Sequence, residues 1–169
     1  MLGSSSEIKI RKPKPGDAKA LSEVFCASWW QAYRGIIPHL HLENLVRRRE
    51  ADWWRNAIRS GDDMVVIEVS GLTAGYATLG PARTRGAYAG EIYELYLAPN
   101  YQGLGFGEHL FEACRHTLDQ RRLKGLIVWV LSDNTKASDF YWRRGGRPIV
   151  KTVERIGSAK LEKIAFTWS

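Results

Sequence analysis

Cysteines are few in this sequence, and long apolar runs are absent from it. Cys26 and Cys114, the only two cysteines, lie far apart with no C-x-x-C spacing, which excludes a disulfide framework and a zinc ribbon. No stretch approaches the roughly 18 apolar residues of a membrane span. The first ten residues lack the basic and apolar segments of a secretory signal. We therefore expect a cytoplasmic protein in a reducing compartment, with no membrane partner.

Acidic residues are outnumbered by basic ones. Lys and Arg total 25 against 18 Asp and Glu, which gives a formal net charge of +7. Such a balance favours an anionic partner: nucleic acid, a membrane surface or a polyphosphorylated small molecule. The densest basic run, at 47–49, is followed by Glu50, and no helix-turn-helix, RNP or zinc-finger pattern occurs. Nucleic-acid binding is therefore the weaker alternative, and a nucleic-acid partner is not expected.

Length and composition predict one globular domain over residues 1–169, with a flexible N-terminus at about 1–6. Hydrophobic periodicity predicts a strand around Ile8, a helix from about residue 18 to 34, and a second helix running through 42–58. His39 and His41 are expected in the loop between those helices. Further elements are expected in this order: a hairpin at 64–69 and 72–79, a strand at 91–97, a helix after residue 107, an apolar strand at 126–131, a helix at 134–144, and strands at 148–154 and 160–168.

A glycine-rich loop is the most informative stretch. A strand runs into Gly103, Gly105 and Gly107 and then directly into an amphipathic helix. Glycines let backbone N–H groups approach a ligand, and a helix N-terminus adds a positive dipole end, so this arrangement predicts an anion site, usually for phosphate. A Walker A loop is excluded because Glu108 stands where that motif needs Lys. A dinucleotide fingerprint is excluded because only Phe106 separates Gly105 from Gly107.

The remaining pattern is Gln102-Gly103-Leu104-Gly105-Phe106-Gly107, preceded by Leu-Tyr-Leu-Ala-Pro. It resembles motif A of the GNAT superfamily of N-acetyltransferases. In that superfamily the loop holds the pyrophosphate of coenzyme A. A second signature matches in the expected order and at the expected distance, with Asn134, Ala137, Phe140-Tyr141 and Gly145. The resemblance covers nearly the whole chain. It implies an α/β fold with a mixed, mostly antiparallel sheet, splayed between 91–97 and 126–131, and helices on both faces.

The resemblance also implies an enzyme that transfers an acetyl group from acetyl-CoA directly to a primary amine, without a metal. It assigns three groups of residues to coenzyme A. These are the strand residues Leu95, Tyr96 and Leu97, which would pair with the pantetheine amides; the loop residues Gln102, Gly103, Leu104, Gly105, Phe106 and Gly107; and Asn134, which would bond the pantetheine arm while also capping the following helix. Tyr141 is an eleventh residue assigned to coenzyme A, because it matches the residue placed beside the sulfur as general acid.

Two glutamates are candidates for the base that deprotonates the amine. Many superfamily members hold an acidic residue on this strand and relay the proton through water. Glu91 matches the base of the histone-acetylating branch, whereas Glu94 is expected closer to the thioester. Strand alternation predicts opposite faces for the two, with Glu91 beside Tyr93 and Glu94 beside Tyr96.

Several questions stay open on the sequence alone. The acceptor is a polyamine, an aminoglycoside, an amino acid, a peptide N-terminus or a protein lysine, and a homodimer is among the open oligomeric states. A non-catalytic acyl-CoA-binding or sensing module is the alternative to an enzyme. The first 60 residues carry no defining motif, but their aromatic residues are expected to form core and part of the acceptor groove: Trp29, Trp30, Tyr33, Trp53 and Trp54.

Other side chains receive a structural or electrostatic interpretation. Lys136, Arg143 and Arg144 are candidates to face the nucleotide end of coenzyme A. Cys26 and Cys114 fall on apolar helical faces and are expected to be buried structural thiols. His109 and His116 share a helical face but lack a third ligand type, so no metal site is expected.

Overall fold

One mixed sheet of seven strands organises the chain. The computed structural model describes residues 7–61 and 63–169, so the predicted flexible N-terminus at 1–6 lies outside the described residues. The strand order is β1-β2-β3-β4-β5-β7-β6. The strands are β1 (Ile8–Arg11), β2 (Met64–Val69), β3 (Leu72–Pro81), β4 (Gly90–Leu97), β5 (Leu126–Leu131), β6 (Arg147–Ile156) and β7 (Ala159–Trp168). The helices are α1 (Ala18–Tyr33), α2 (His39–Arg48), α3 (Ala51–Arg59), α4 (Phe106–Gln120) and α5 (Thr135–Arg143).

All neighbouring strands pair antiparallel except β4 and β5. Helices cover both faces of the sheet. Leu110, Phe111 and Cys114 of α4 are buried against one face, and Leu21 of α1 and Trp54 of α3 are buried against the other. Burial of each such large apolar side chain contributes about 1.5–3 kcal/mol. The predicted fold class is therefore confirmed.

The second helical region is two helices, so the prediction of one helix through 42–58 is wrong. The chain breaks at Arg49 (φ −104°, ψ 47°), and Glu50 is extended before α3 begins. The Arg49 carbonyl accepts hydrogen bonds from the Trp54 indole N–H at 3.1 Å and the Ser22 hydroxyl at 3.1 Å. These two donors replace the backbone N–H group that would bond the Arg49 carbonyl in a continuous helix. The apolar residues on either side of the break keep a helical spacing. The start of the region is also different, because α2 begins at His39 and therefore includes both histidines that were expected in a loop.

The sheet splits between β4 and β5. These parallel strands pair only at their starts, with Gly90 opposite Leu126 and Glu91 opposite Ile127. Beyond that point β4 pairs, within the described part of the chain, with β3 alone up to Leu97, while β5 continues along β7. The split leaves one edge of β4 unpaired in the middle of the molecule, as the sequence resemblance implied.

A β-bulge lies in β4 just after the split. Thr78 of β3 pairs with Glu94, but the next residue, Leu79, pairs with Ile92, so Tyr93 has no partner across the ladder. An extra residue shifts side-chain alternation by one. Glu91 and Glu94 consequently share a face, and the prediction that they lie on opposite faces is wrong.

No helix among the described residues is both long enough and apolar enough to cross a membrane.

Candidate active site

A cavity of about 710 Å³ occupies the split in the sheet. It extends from the unpaired edge of β4 to the N-termini of α4 and α5. Nine of the eleven residues predicted to hold coenzyme A line it: Leu95, Tyr96, Leu97, Gln102, Gly103, Gly105, Gly107, Asn134 and Tyr141. We refer to it as the first cavity.

The other two predicted residues, Leu104 and Phe106, are not among the lining residues of the first cavity. The Leu104 side chain is 65% exposed to solvent. The Phe106 ring packs against Tyr101 and the core cluster on the α4 face. Any contribution of these two positions to the first cavity is therefore expected from the backbone.

The glycine loop is shaped to receive an anion. Gly103 and Gly105 have φ of +75° and +88°, and a Cβ built on either would meet no atom within 4 Å. Since both residues line the first cavity, side chains there would project into open cavity space. The first N–H groups of α4, which begins at Phe106, lack intrahelical acceptors and carry the positive end of the helix dipole. The loop therefore offers backbone donors in a space kept clear by glycine.

Gln102 fixes this loop to its surroundings. Its amide donates to the Leu97 carbonyl at 3.1 Å and to Gln31 Oε1 at 2.7 Å. Its Oε1 accepts from Lys136 Nζ at 3.3 Å. The Gln102 side chain therefore links the end of β4, helix α1 and helix α5 beside the first cavity.

Three basic side chains that the sequence singled out, Lys136, Arg143 and Arg144, all line the first cavity. Arg144 pairs with Glu108 at 3.0 Å, and Arg143 pairs with Asp139 at 3.2 Å. Glu108 and Asp139 line the same cavity, whereas Lys136 bonds the neutral Gln102 amide.

Tyr141 is buried on α5 and lines the first cavity. Its ring packs against Phe111, Phe166 and Trp168. Burial raises the pKa of Tyr141 well above its ordinary value, so the side chain stays a neutral phenol that can donate a proton. Nearby, Asn134 caps α5 by accepting the Ala137 N–H at 3.2 Å.

A second cavity of about 580 Å³ adjoins the first, and Tyr96 lines both. The Tyr96 and Tyr33 hydroxyls share a hydrogen bond. Of the aromatic residues expected in an acceptor groove, Trp29 and Tyr33 line the second cavity, whereas Trp54 is fully buried core. Tyr96 therefore lies between the first and second cavities, where the sheet splits.

Both candidate bases line the second cavity, and each is held by an arginine. Glu94 accepts hydrogen bonds from Arg49 Nη1 at 2.9 and 3.1 Å, from the Tyr76 hydroxyl at 3.0 Å and from the Thr78 hydroxyl at 3.4 Å. Among the described residues, Glu91 accepts from Arg83 alone, through its backbone N–H at 2.9 Å and Nη2 at 2.7 Å.

The two carboxylates differ in how many acceptor positions remain open. A carboxylate has about four lone-pair sites. The four hydrogen bonds to Glu94 occupy its sites, while two sites of Glu91 receive no donor from residues 7–61 and 63–169. The Glu91 side chain is 1% exposed and Arg83 is 64% exposed, so Arg83 covers Glu91 from the solvent side.

Sequence reasoning missed Arg49 and Arg83 as site residues. Arg49 belongs to the basic run at 47–49, but nothing in that run marks it as different from its neighbours. Its guanidinium lies over the rings of Phe25 and Trp53, at 4.7 and 4.2 Å. Arg83 sits in an irregular loop whose sequence gives no periodicity. The aromatic residues around Arg49 were visible in the sequence, but their partner was not.

Among the described residues, the cysteines and histidines form neither an activated nucleophile nor a metal site. Cys114 is buried, and burial raises its thiol pKa to about 12, so it is not an activated nucleophile. Cys26 is only partly buried, contrary to expectation, because its helix face lies at the margin of the core. Within residues 7–61 and 63–169, no three His, Cys, Asp or Glu side chains group in a way that could hold a metal ion.

The chain belongs to the acetyltransferase (GNAT) family, whose model matches residues 24–146. An uncharacterized N-acetyltransferase of Bacillus subtilis (strain 168) is 27% identical over 162 residues, covering 95% of this chain and 92% of that protein. A probable N-acetyltransferase of Mycobacterium tuberculosis is 27% identical over 142 residues, covering 82% and 79%. The chain is therefore an N-acetyltransferase, as the sequence resemblance implied.

The fold is shared with solved structures. The PaiA N-acetyltransferase from Thermoplasma acidophilum, in complex with coenzyme A, has a TM-score of 0.72 and 22% sequence identity, covering 94% of this chain and 98% of that one. The structure of yncA from Salmonella typhimurium, with its cofactor acetyl-CoA, has a TM-score of 0.69 and 18% identity, covering 96% of this chain and 94% of that one.

Proposed function

We propose that this protein moves an acetyl group from acetyl-CoA to a primary amine of a small molecule or peptide, by direct transfer within a ternary complex. The observation that carries the proposal is the pair of cavities that meet at Tyr96. One has the glycine loop and basic residues suited to a diphosphate, and the other has carboxylates suited to an amine. Family membership and the coenzyme A or acetyl-CoA bound by structural neighbours support the choice of donor.

In this proposal the residues of the first cavity hold acetyl-CoA. The backbone N–H groups from Gly103 to Gly107 would bind the pyrophosphate, with Lys136 and Arg143 close to it. The unpaired edge of β4 at 95–97 would pair with the pantetheine amides, and Asn134 would contact the same arm while it caps α5. The thioester would then lie beside Tyr141, where the two cavities meet.

Proton transfer is the chemical problem that the side chains must solve. An alkyl ammonium with a pKa near 10.4 is only about 0.04% deprotonated at neutral pH, and only the free amine can attack the thioester carbonyl carbon. We assign the removal of its proton to Glu91, through a water molecule, because Glu91 keeps free lone pairs. Glu94 is then a positioning residue that holds Arg49 and Tyr76. The amine nitrogen bonds to the carbonyl carbon, and as the C–S bond breaks Tyr141 gives its proton to the departing sulfur. The new amide nitrogen loses its remaining extra proton, which restores the neutral phenol of Tyr141.

Two measurements test the proposal. Calorimetry should detect binding of acetyl-CoA, and release of free thiol should follow when amines of different classes are added. Initial rates at varied concentrations of both substrates should give intersecting reciprocal plots, because both must be bound together. Parallel plots would contradict direct transfer. Binding without thiol release for any amine would instead match a non-catalytic acyl-CoA-binding module.

A pair of variants tests the assignment of the base. Glu91→Gln should lower kcat about 10²-fold and leave the affinity for acetyl-CoA unchanged. Glu94→Gln should lower the melting temperature, with the turnover of the folded fraction within a few-fold of the parent. The opposite pattern would transfer the role of base to Glu94.

A further inference from the structure

Two tyrosine hydroxyls meet where the first and second cavities join. Tyr96 comes from β4 and lines both cavities, whereas Tyr33 comes from the last turn of α1 and lines the second cavity. The two hydroxyls share a hydrogen bond. Trp29 packs against both phenol rings, with centroids 4.8 Å from Tyr33 and 5.8 Å from Tyr96, so aromatic packing holds the pair in position.

The pair of hydroxyls has one proton more than its own hydrogen bond uses. Each phenol carries one O–H proton, and the hydrogen bond between the two oxygens uses one of them, whichever oxygen donates it. Among the described residues, neither hydroxyl donates to a further acceptor. One O–H group is therefore available to an oxygen atom of a bound molecule.

The available O–H lies on the path between the donor and the acceptor. In the proposed function the thioester sulfur lies beside Tyr141, and the carbonyl carbon bonded to it must be reached by an amine from the second cavity. That carbon and its oxygen therefore lie between Tyr141 and the second cavity, on the side where Tyr96 stands. The Tyr33 phenol is also near, because it contributes, after burial and Cys114, to the raised pKa of Tyr141.

Acetyl transfer places negative charge on the carbonyl oxygen. When the amine nitrogen bonds to the carbonyl carbon, the π electron pair of the C=O bond moves to the oxygen. Donors that are fixed before the reaction stabilise this charge without the reorganisation that water requires. Burial raises the pKa of both Tyr33 and Tyr96, so both side chains remain neutral donors at neutral pH.

We propose, building on the proposed function, that the Tyr96 hydroxyl donates a hydrogen bond to the thioester carbonyl oxygen and stabilises the negative charge that it gains. Tyr33 is a positioning residue that donates to the Tyr96 oxygen, and this polarises the Tyr96 O–H. No proton leaves either tyrosine. When the electron pair returns to re-form C=O, the C–S bond breaks, and the sulfur takes its proton from Tyr141.

Phenylalanine variants form the first arm of the test. Tyr96→Phe should lower kcat about 10²-fold, the usual effect of removing one oxyanion donor, while KM for the amine and the affinity for acetyl-CoA stay near the parent values. Tyr33→Phe keeps the Tyr96 O–H but not its polarisation, so kcat should fall only about 3- to 10-fold. The double variant should turn over at about the rate of Tyr96→Phe, because Tyr33 acts through Tyr96.

Tyr88→Phe is the control for the loss of a phenol hydroxyl. Tyr88 lies in the β3–β4 loop and lines neither cavity, so this variant should keep the parent values of kcat and KM. Melting temperatures of all variants are measured on the same preparations, and turnover is expressed per folded protein.

Infrared difference spectra of bound acetyl-CoA, labelled at the carbonyl carbon, form the second arm and require no acceptor. A hydrogen bond to the carbonyl oxygen weakens the C=O bond and lowers its stretching frequency. The labelled band should therefore move to higher frequency in Tyr96→Phe and remain at the parent position in Tyr88→Phe.

The outcomes separate this inference from the proposed function. An unmoved carbonyl band together with turnover of Tyr96→Phe near the parent rate overturns the inference and leaves the acetyltransferase activity in place. So does a Tyr96→Phe variant whose KM for the amine rises while kcat is unchanged, since that pattern identifies a contact with the acceptor. Absence of thiol release from the parent protein with every amine, despite binding of acetyl-CoA, overturns the proposed function and the inference with it.

Discussion

Arg49 binds Glu94 with one nitrogen between both carboxylate oxygens, at 2.9 and 3.1 Å. The ion pair joins the break between α2 and α3 to the middle of β4. Both side chains are largely shielded from water, with 24% and 14% of their surface exposed. The break between α2 and α3 is therefore coupled to the strand that lines both cavities.

We expect Arg49→Met to reduce the free energy of unfolding by about 2–4 kcal/mol, because Glu94 would then be a shielded charge without its partner. In a double-mutant cycle with Glu94→Gln, the combined loss should be smaller than the sum of the single losses by at least about 1 kcal/mol. Urea unfolding measures all four proteins. Arg47→Met is the control, since Arg47 pairs with Glu43 on the exposed side of α2 and should cost under about 1 kcal/mol. Additive losses would show that the ion pair does not couple the two elements.

Gly105→Val should weaken coenzyme A binding at least tenfold. Gly105 has φ of +88° beside open cavity space, so a branched side chain would fill the position that a pyrophosphate needs and would strain the backbone. Calorimetry on the folded variant gives the affinity. Gly61→Val separates the two effects, because Gly61 has φ of +76° and equally open surroundings but does not line the first cavity. Equal affinities in all three proteins would remove the loop from the binding site.

The glycine loop was predictable because its chemistry is local. Positive φ, a helix start and clear space for backbone donors are properties of Gly103, Gly105 and their immediate neighbours. The apolar strand at 126–131 was equally visible, since both of its faces are buried by the fold. Such features depend on a few consecutive residues, so the sequence pattern predicts them.

The arrangement of the two glutamates was not predictable in the same way. The bulge at Tyr93 is defined by how β4 pairs with β3, and no residue type in β4 alone marks it. The break at Arg49 likewise depends on Ser22 and Trp54, which approach its carbonyl from elsewhere in the fold. Both features arise from tertiary contacts that override a regular local period.

Stability should fall at alkaline pH because of buried tyrosines. Burial raises the pKa of Tyr76, Tyr96 and Tyr141 above the ordinary value. Above about pH 10 the unfolded chain loses these protons while the folded chain retains them. The stabilisation is therefore complete below pH 10 and declines as pH rises, by about 1.4 kcal/mol per pH unit for each group.

Urea unfolding between pH 8 and 11 measures this slope. In Tyr141→Phe the fall of the unfolding free energy with pH should be less steep above pH 10, by the contribution of one tyrosine. Below pH 9 the slope should match that of the parent protein. A variant slope identical to that of the parent throughout would show that Tyr141 ionises as readily in the folded protein as in the unfolded chain.

Tyr141→Phe also tests the proposed general acid. The substitution keeps the ring that packs against Phe111 and Trp168 and removes only the hydroxyl. If Tyr141 protonates the departing sulfur, kcat should fall about 10²-fold or more, while the affinity for acetyl-CoA stays near the parent value because other residues hold the phosphates and the pantetheine arm. Since burial raises the pKa of this phenol, the parent enzyme should keep its proton donor well into the alkaline range, and any alkaline loss of rate due to Tyr141 should disappear in the variant. Turnover, affinity and melting temperature are measured on the same preparation. A purely structural tyrosine predicts the reverse pattern, in which the variant melts at a lower temperature and its folded fraction turns over at the full rate, and that result would exclude Tyr141 from the mechanism.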